Sequence, residues 1–252
     1  MKFEMPKLNL TLIPLLLLLL ATFTVRAESL RMVADQWPPY VDESLPGRGL
    51  AIDLVATVFS RAGYDTRLTV DAWSRALEGS RIGVYDVVAN IWYTEERARE
   101  LDYSDPYLVN DIRLIKKKES DIQFNRLDDL KGRLIGVVKD YAYPKDFAAS
   151  DKLIKISNNA ILPALNELVR GQYDLVVGDK NVIDFTLQKF LPNESKNLEF
   201  LSKSLGQSKL YVAVSKANPR HKQIVADFNR ALRAMKKDGS YQQILDAHQV
   251  QP

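Results

Sequence analysis

Residues 83–107 place an arginine just past the end of an apolar segment, GVYDVVANIWYTEERARELDYSDPY. The apolar half predicts a short buried strand, with apolar positions at Val84, Val87, Val88 and Ile91. Asn90, Trp92 and Arg97 lie at or just beyond its end. In open α/β sheets, ligands bind outside the carboxyl ends of strands. A guanidinium can also pair with a carboxylate through two parallel hydrogen bonds. We therefore expect Arg97 to face the carboxylate of a small molecule.

A second candidate lies in the segment DQWPPY, which ends the first predicted strand. Its two prolines favour an extended turn that would hold Trp37 and Tyr40 on a rigid loop. Loops between regular elements often carry binding residues, so Trp37 is a candidate for ligand contact. The alternative is packing of Trp37 in the core, because an indole ring is readily buried anywhere.

The elements around these residues follow a β-α-β-α-β order. Alternating or buried apolar residues predict strands at 30–34, 66–70 and 85–91. Apolar residues at helical spacing predict helices at 50–62 and 73–82. This order favours a parallel sheet with helices on its faces.

A second series repeats this order without detectable sequence repetition. Its predicted strands are 112–115, 134–138 and 173–177. One helix is expected to begin near Pro144 and another to span 160–170, capped by residues 157–159. Asp179 lies just past the last of these strands.

The last part of the chain predicts a strand at 209–214, a long helix at 222–237 and a short helix at 241–248. The charged residues assigned to the solvated face of the long helix are Asp227, Arg230, Arg233, Lys236 and Lys237. We also expect the lysine run at 116–118 at the surface, together with the two histidines of the chain, His221 and His248.

The first 27 residues predict an export signal rather than part of a folded domain. Lys2 and Lys7 precede an apolar run at 8–25 that contains six consecutive leucines. Val25 and Ala27 then supply the small residues of a cleavage site, so we expect cleavage after Ala27. The alternative is an uncleaved membrane anchor, because an apolar run of this length is near the lower limit for a membrane span.

Composition narrows what the rest of the chain can be. Of 252 residues, cleavage would remove 27 and leave 225, and it would take away three basic and one acidic residue, so the net charge would fall from +3 to +1. A nearly neutral chain has no basic domain for nucleic acid. The absence of cysteine excludes disulfides and a lipid-modified cysteine. We expect one or two compact α/β domains in the periplasm, soluble and not a lipoprotein.

Six segments follow one another along the chain: WPPY, GLAIDL, TEERARELDYSDPY, DDLKGRLIGVV, YDLVVGD and ALRAMKKDGSYQQIL. In this order and spacing they resemble the bacterial extracellular solute-binding proteins of family 3, the polar amino-acid binders of uptake systems. The resemblance implies a two-lobed α/β periplasmic-binding-protein fold. Each lobe is a mostly parallel sheet flanked by helices, and two hinge strands join the lobes. The implied boundaries are residues 28–113 plus 210–252 for lobe 1 and 114–209 for lobe 2.

The resemblance also implies roles for individual residues. Arg97 matches the arginine that clamps the ligand's α-carboxylate, and Asp179 matches the second-lobe aspartate that receives the α-ammonium group. Trp37 and Trp73 match the two aromatic positions that sandwich the ligand side chain. From the residues alone, Arg97 could instead form a surface salt bridge, and Asp179 could cap a helix.

Other positions depart from the family's pattern. This chain has Asn90 and Trp92 where small hydroxyl residues usually precede the arginine motif. It has Asp140, Tyr141 and Ala142 where the second lobe usually has a glycine followed by Ser or Thr. These changes remove donors and add a carboxylate, so they weaken a simple α-carboxylate site. All three tryptophans fall on predicted cleft positions, and aromatic walls favour flat, apolar or cationic groups.

The predicted ligand-binding residues are Trp37, Trp73, Asn90, Trp92, Arg97, Tyr141 and Asp179. We expect them to capture a small polar or zwitterionic, amino-acid-like ligand with an apolar, aromatic or cationic part, for an ABC-type uptake system. The protein would be a monomer that works with a membrane permease. One alternative is a periplasmic sensor for a membrane signalling partner.

The other alternative is an enzyme that uses the same cleft, with Asp140 and Asp179 as an acidic pair. The sequence has no cysteine nucleophile, no metal-spaced cluster and no G-x-S-x-G segment. We therefore expect no enzymatic activity, no cofactor and no metal.

Overall fold

The computed structural model describes residues 28–248, and the predicted signal segment at 1–27 lies outside the described residues. The strands are β1 (Glu28–Ala34), β2 (Tyr64–Val70), β3 (Val87–Trp92), β4 (Leu101–Tyr103), β5 (Leu108–Lys117), β6 (Leu134–Val138), β7 (Ile154–Asn158), β8 (Leu175–Asp179), β9 (Leu198–Phe200) and β10 (Gly206–Ser215). The α-helices are α1 (Leu50–Arg61), α2 (Trp73–Arg81), α3 (Lys145–Ala149), α4 (Ile161–Val169), α5 (Lys180–Phe190), α6 (His221–Asp238) and α7 (Ser240–His248).

The first β-α-β unit comprises β1, α1, β2, α2 and β3. Its strands are parallel in the order β2-β1-β3, with Met32 opposite both Leu68 and Val87. Every residue of β3 is buried, as in a strand covered on both faces. The predicted parallel series is confirmed, but Val84 is 49% exposed and precedes the strand. Its N–H donates to the carbonyl of Gly79 in the turn that ends α2.

The second β-α-β unit comprises β6, α3, β7, α4 and β8, with parallel strands in the order β7-β6-β8. The prediction of a helix cap at 157–159 is wrong. Ser157 and Asn158 belong to β7, and α4 begins after Ala160 without a side-chain cap. β7 lies at the edge of the sheet and none of its residues is fully buried, so its apolar pattern in the sequence is weak.

Two ten-residue strands, β5 and β10, join the two units. Residues 108–112 of β5 pair antiparallel with residues 206–210 of β10. Beyond this overlap, β10 pairs with β3 and β4, whereas β5 pairs with β8 and β9. The sheet is therefore continuous from the first unit to the second. Both strands are longer than predicted, because their backbone pairing continues where their side chains alternate between exposed and buried positions.

The helices α6 and α7 return to the first unit, where the Phe228 ring lies 4.9 Å from the Phe59 ring of α1. The prediction that Asp227 is solvated is wrong, since it is 7% exposed. Its carboxylate accepts hydrogen bonds from the Tyr64 hydroxyl and the Gln223 amide, each at 2.9 Å, and pairs with Arg230. Helical periodicity assigns every charged residue to solvent, but a carboxylate whose hydrogen bonds are satisfied by neighbouring donors can be buried.

Three further residues are less exposed than predicted. Lys116 is 7% exposed, and its ammonium group donates to the carbonyl of Ser120. His221 lies 3.0 Å from Asp102, and the side chain of His248 lies 2.8 Å from Asp53. The contact between His248 and Asp53 joins α7 to α1. Between residues 28 and 248, none of the helices has the length and apolar character that crossing a bilayer requires.

We expect Asp227→Ala to lower the free energy of unfolding by about 1–3 kcal/mol, because it removes a buried carboxylate that accepts hydrogen bonds from Tyr64, Gln223 and Arg230. Urea denaturation followed by circular dichroism measures this change. The matched control is Asp246→Ala on the exposed side of α7, for which we expect a change within about 0.5 kcal/mol. Equal losses in the two variants would contradict the structural role of Asp227.

Candidate functional site

The carboxyl ends of strands from both units meet across a narrow cleft. In the first unit, Asp35 follows β1 and Trp92 ends β3, which is the parallel neighbour of β1. In the second unit, Tyr141 follows β6 and Asp179 ends β8. Parallel neighbours end at the same edge of a sheet, so each unit presents its polar strand ends to the other.

A small chamber with a cavity volume of about 20 Å³ lies between the two units. Its nine lining residues are Asp35, Trp37, Trp73, Asn90, Trp92, Arg97, Tyr141, Ala142 and Leu210. Six of the seven predicted site residues are among them, and Asp179 is the exception. The three lining residues without a predicted role are Asp35, Ala142 and Leu210.

Aromatic rings form most of the chamber wall. The Trp92 ring is 5.8 Å from Trp37 and 5.3 Å from Tyr141, with interplanar angles of 80° and 78°. Its indole N–H donates to Asn110 Oδ1 at 2.8 Å, so the one donor of this side chain is already bonded. Trp73, at the start of α2, is half-buried. These rings offer apolar faces that suit a flat or cationic group.

A compact turn, rather than the predicted extended one, positions Trp37. The backbone N–H and carbonyl of Trp37 bond to the carbonyl and N–H of Val41, at 2.9 and 3.0 Å. The carbonyls of Pro39 and Tyr40 accept the N–H groups of the first two residues of α1. The turn therefore satisfies donors at the helix start, and α1 in turn fixes the turn.

Asp35 is the chamber residue that sequence reasoning missed. It is 9% exposed, and it accepts a hydrogen bond from Asn90 Nδ2 at 3.0 Å. Burial raises the pKa of Asp35 to about 6, although the hydrogen bond from Asn90 opposes the rise. The other amide atom, Asn90 Oδ1, is a buried acceptor with no partner within the described part of the chain. The sequence does contain a clue to this role, because Asp35 is an acidic residue directly after the first predicted strand and two positions before Trp37.

Arg97 is buried, and its guanidinium contacts backbone carbonyls rather than a surface carboxylate. It is 5% exposed. One terminal nitrogen donates to the carbonyl of Trp92 at 2.9 Å, and the other donates to the carbonyl of Asp140. The guanidinium carbon lies 5.2 Å from the Trp73 ring centroid. A guanidinium has five N–H donors, so donors remain for a ligand carboxylate.

Asp140 connects the second unit to the first. Its φ of 61° lies in the left-handed region, where glycine is favoured and Asp is tolerated better than most residues. Its carboxylate accepts from the Ser74 hydroxyl at 3.1 Å, and its carbonyl accepts from the Trp73 indole at 3.2 Å as well as from Arg97. The side chain that departs from the family pattern is thus bonded to α2.

Asp179 caps α5, which is the structural alternative weighed for it from the sequence. Its Oδ1 accepts the N–H of Val182 at 2.9 Å, and the Tyr40 hydroxyl lies 3.4 Å from Oδ2. Asp179 is 2% exposed, and burial raises its pKa to about 7 against the opposing hydrogen bond from Val182. Its contact with a ligand stays a prediction. Within residues 28–248, no group of three or more His, Cys, Asp or Glu residues is placed to hold a metal ion.

The chain is similar in sequence to known binding proteins. The sequence profile of the bacterial extracellular solute-binding proteins, family 3, matches residues 30–250. The ABC transporter arginine-binding protein 1 of Escherichia coli (strain K12) is 26% identical over 243 residues, which cover 90% of this chain and 95% of that protein.

Solved structures share the fold. An ancestral arginine-binding protein bound to arginine is 26% identical with a TM-score of 0.74, covering 88% of this chain and 98% of that one. A histidine kinase sensor domain with similarity to periplasmic binding proteins is 21% identical with a TM-score of 0.76, covering 88% and 96%. The predicted two-lobed α/β periplasmic-binding-protein fold is confirmed.

We expect Asp179→Asn to remove a pH dependence of stability from the ligand-free protein. With a pKa raised from 3.8 to about 7, Asp179 keeps a proton in the folded state that the unfolded chain has released, so its contribution to stability falls as the pH rises across that window. Asparagine keeps the cap but cannot ionise. The variant should therefore gain about 1–3 kcal/mol over the wild type at pH 8 and little at pH 4.

Urea unfolding at pH 4, 6 and 8 measures the difference. The raised pKa of Asp35 acts with the same sign in both proteins, so subtraction of the two curves isolates Asp179. A stability difference that is the same at pH 4 and pH 8 would contradict the assignment.

Proposed function

The chain belongs to the bacterial extracellular solute-binding proteins, family 3, and we propose that it captures a small amino-acid-like solute between its two lobes for an ABC-type uptake system. Its similarity to the arginine-binding protein of an ABC transporter extends over 90% of the chain. The solved arginine-binding structure with bound arginine supports the same class of solute.

The observation that carries this proposal is the chamber itself. It has one buried carboxylate, Asp35, one buried guanidinium, Arg97, and four aromatic rings. Opposite fixed charges in a water-poor space are complementary to a solute that carries both a cation and an anion. The proposed ligand-binding set is the predicted one, with Asp35 added.

We assign the two charged ends of the solute to two places. Its cationic group would lie beside Asp35, since no ion pair within the described residues neutralises that carboxylate. The acceptor Asn90 Oδ1 is available to the same group. Its carboxylate would lie at Arg97, and Trp37 and Trp73 would cover its side chain. The raised pKa of Asp35 records the energy that a bound cation would recover.

The two lobes are proposed to be residues 28–113 plus 210–252 and residues 114–209, hinged at β5 and β10. Contacts across the cleft support this division. Lys189 on α5 lies 3.4 Å from Asp42, and Asn181 donates to the Tyr40 hydroxyl at 3.1 Å. Opening the hinge breaks these contacts together with the hydrogen bond from Arg97 to Asp140, and closing restores them around the solute.

Export through the predicted signal, with cleavage after Ala27, would place the mature protein in the periplasm as a monomer that delivers its solute to a membrane permease. A relative named as the arginine-binding periplasmic protein of Mannheimia haemolytica supports this location. Edman sequencing of the secreted protein tests the cleavage site, and sedimentation tests the oligomeric state.

A second candidate function is sensing for a membrane signalling partner. It is favoured by the sensor domain of a histidine kinase, whose fold covers 88% of this chain with a TM-score of 0.76. Co-purification of the ligand-bound protein with a permease or with a kinase distinguishes the two functions.

We propose no enzymatic role, because the family consists of solute-binding proteins. The two carboxylates considered above as a catalytic pair, Asp140 and Asp179, each accept a hydrogen bond from another part of the protein. Asp140 bonds to Ser74, and Asp179 caps α5. Mass spectrometry of a solute recovered after long incubation tests this, since an unchanged mass agrees with binding alone.

The direct test of the proposed function is the identification of a bound solute. Denaturing the purified protein and analysing the released molecules by mass spectrometry should yield an amino-acid-like cation. Refolded, ligand-free protein should then change its tryptophan fluorescence on titration with members of an amino-acid and amine panel, arginine among them. Trp73→Ala should weaken binding of the best ligand about 3- to 30-fold, since a cation over an indole contributes about 0.5–2 kcal/mol. No response to any member, in wild type and variant alike, would overturn the proposal.

We expect Asp35→Asn to weaken binding of arginine and of agmatine about 10- to 100-fold at pH 8, because charge-assisted hydrogen bonds contribute about 1.5–3 kcal/mol. In the wild type, affinity should fall as the pH drops through about 6 and Asp35 becomes protonated, and this fall should be smaller in the variant, in which Asp179 with its pKa of about 7 still titrates. Calorimetry measures both effects. The control is Asp246→Asn, on the exposed side of α7. If Asp35→Asn kept the wild-type affinity and pH profile, Asp35 would not be the counter-ion.

A further inference from the structure

The chamber is continuous with a larger groove that also lies between the two units. This outer groove has a cavity volume of about 560 Å³. Four residues line both spaces: Asp35, Trp37, Trp73 and Tyr141. A solute held beside Asp35 therefore lies at the junction, and whatever extends from its cationic group can enter the groove.

The walls of the outer groove are largely apolar and come from both units. Pro38 and Val70 belong to the first unit, whereas Ile161, Leu162 and Phe190 come from α4 and α5. Phe190 is 49% exposed, and the Lys189 ammonium lies 5.6 Å from its ring centroid, so part of a large apolar side chain faces water. An apolar group lying in the groove would remove this surface from water.

The charged side chains that line only the outer groove neutralise each other, so the groove does not require a charged ligand group. Asp71 and Arg75 at its rim form an ion pair with each other one helical turn apart. The Asp71 carboxylate also accepts the N–H of Ala72 at 2.7 Å. Among the described charged residues that line the groove, Asp35 is then the one without an ionic partner, and it belongs equally to the chamber.

The sizes of the chamber and the outer groove also indicate that they would hold different parts of one solute. Pockets for small molecules usually enclose about 300–1,000 Å³. The outer groove, at about 560 Å³, lies within that range, whereas the chamber, at about 20 Å³, has room for about one water-sized group beside its two fixed charges. The chamber is suited to the charged head of a solute, and the adjoining groove is suited to an uncharged extension.

We propose that the natural solute is an organic cation with an apolar substituent, aliphatic or aromatic, whose cationic head lies beside Asp35 and whose substituent lies in the outer groove against Leu162 and Phe190. This inference rests on the proposed function, because it needs a cation in the chamber. It goes further by assigning the groove as a second subsite and by making the solute larger than a free amino acid.

A ladder of n-alkylamines tests the second subsite, because each member has the same head and a longer apolar tail. Calorimetry at pH 8 should show affinity rising about two- to fourfold per methylene group, and thus at least about 15-fold from ethylamine to hexylamine. Hexylamine should also bind more tightly than 1,6-diaminohexane, whose far end is charged.

Two variants localise the tail. Phe190→Ala should lower the affinity for hexylamine more than that for ethylamine. Leu162→Asp should reverse the preference between hexylamine and 1,6-diaminohexane, and an acidic residue in the first turn of α4 is compatible with that helix. The matched control is Ile82→Ala, which removes an apolar side chain that is 65% exposed and outside the groove lining. This control should leave the whole ladder unchanged.

The outcomes separate the inference from the proposed function. Equal affinity for all the amines, with retained binding of amino acids or short amines, overturns the second subsite and leaves the proposed function intact. A chain-length dependence that neither Phe190→Ala nor Leu162→Asp alters also overturns it, because the tail then lies elsewhere. If no amine and no amino acid binds, both proposals are wrong.

Discussion

The antiparallel pairing of β5 with β10 is the contact on which the binding cleft depends. β10 joins the sheet of the first unit through β3, β5 joins the sheet of the second unit through β8, and the two strands pair with each other. Two parallel β-α-β units are thereby held with their carboxyl strand ends opposed. Polar side chains at these ends would lie at an open edge in a single unit. Here they face each other across a chamber whose charged residues Asp35 and Arg97 are buried, and burial strengthens electrostatic interactions.

The binding site contains two buried carboxyl groups, Asp35 and Asp179, that are costly to ionise. Asp35 and Asp179 both have raised pKa values because burial disfavours their ionised forms. Asp179 is compensated by capping α5, whereas Asp35 has only the amide of Asn90. The ligand-free site therefore holds a carboxylate whose ionised form is destabilised, and a cationic solute would relieve that cost. The buried Asp35 carboxylate therefore lowers the stability of the ligand-free protein, and a bound cation would recover that free energy as affinity.

The cleft contains a buried cation, a buried carboxylate beside aromatic rings, and an adjoining apolar groove. Arg97 lies where two carbonyls from different units converge, Asp35 lies beside the aromatic rings, and the outer groove continues past them. Three large residues, Trp92, Asp140 and Tyr141, lie at the strand ends where the resemblance to family 3 leads us to expect hydroxyl residues and a glycine. These side chains narrow the chamber and connect the units directly, so this cleft is organised around aromatic surface and a carboxylate more than around small hydroxyl donors.

The sequence by itself determined most of the order of elements and the parallel character of the first unit, and its family resemblance pointed to six of the nine residues that line the chamber. Hydrophobic periodicity and strand-end positions are local properties, so a single chain displays them. Only the tertiary structure decided which charged residues are buried. Asp35 receives its hydrogen bond from Asn90, 55 residues away, and Asp227 receives one from Tyr64, 163 residues away. Asp179 could equally contact a ligand or cap a helix until α5 was positioned. Burial of a carboxylate depends on donors supplied by distant segments, and no local pattern records where those segments pack.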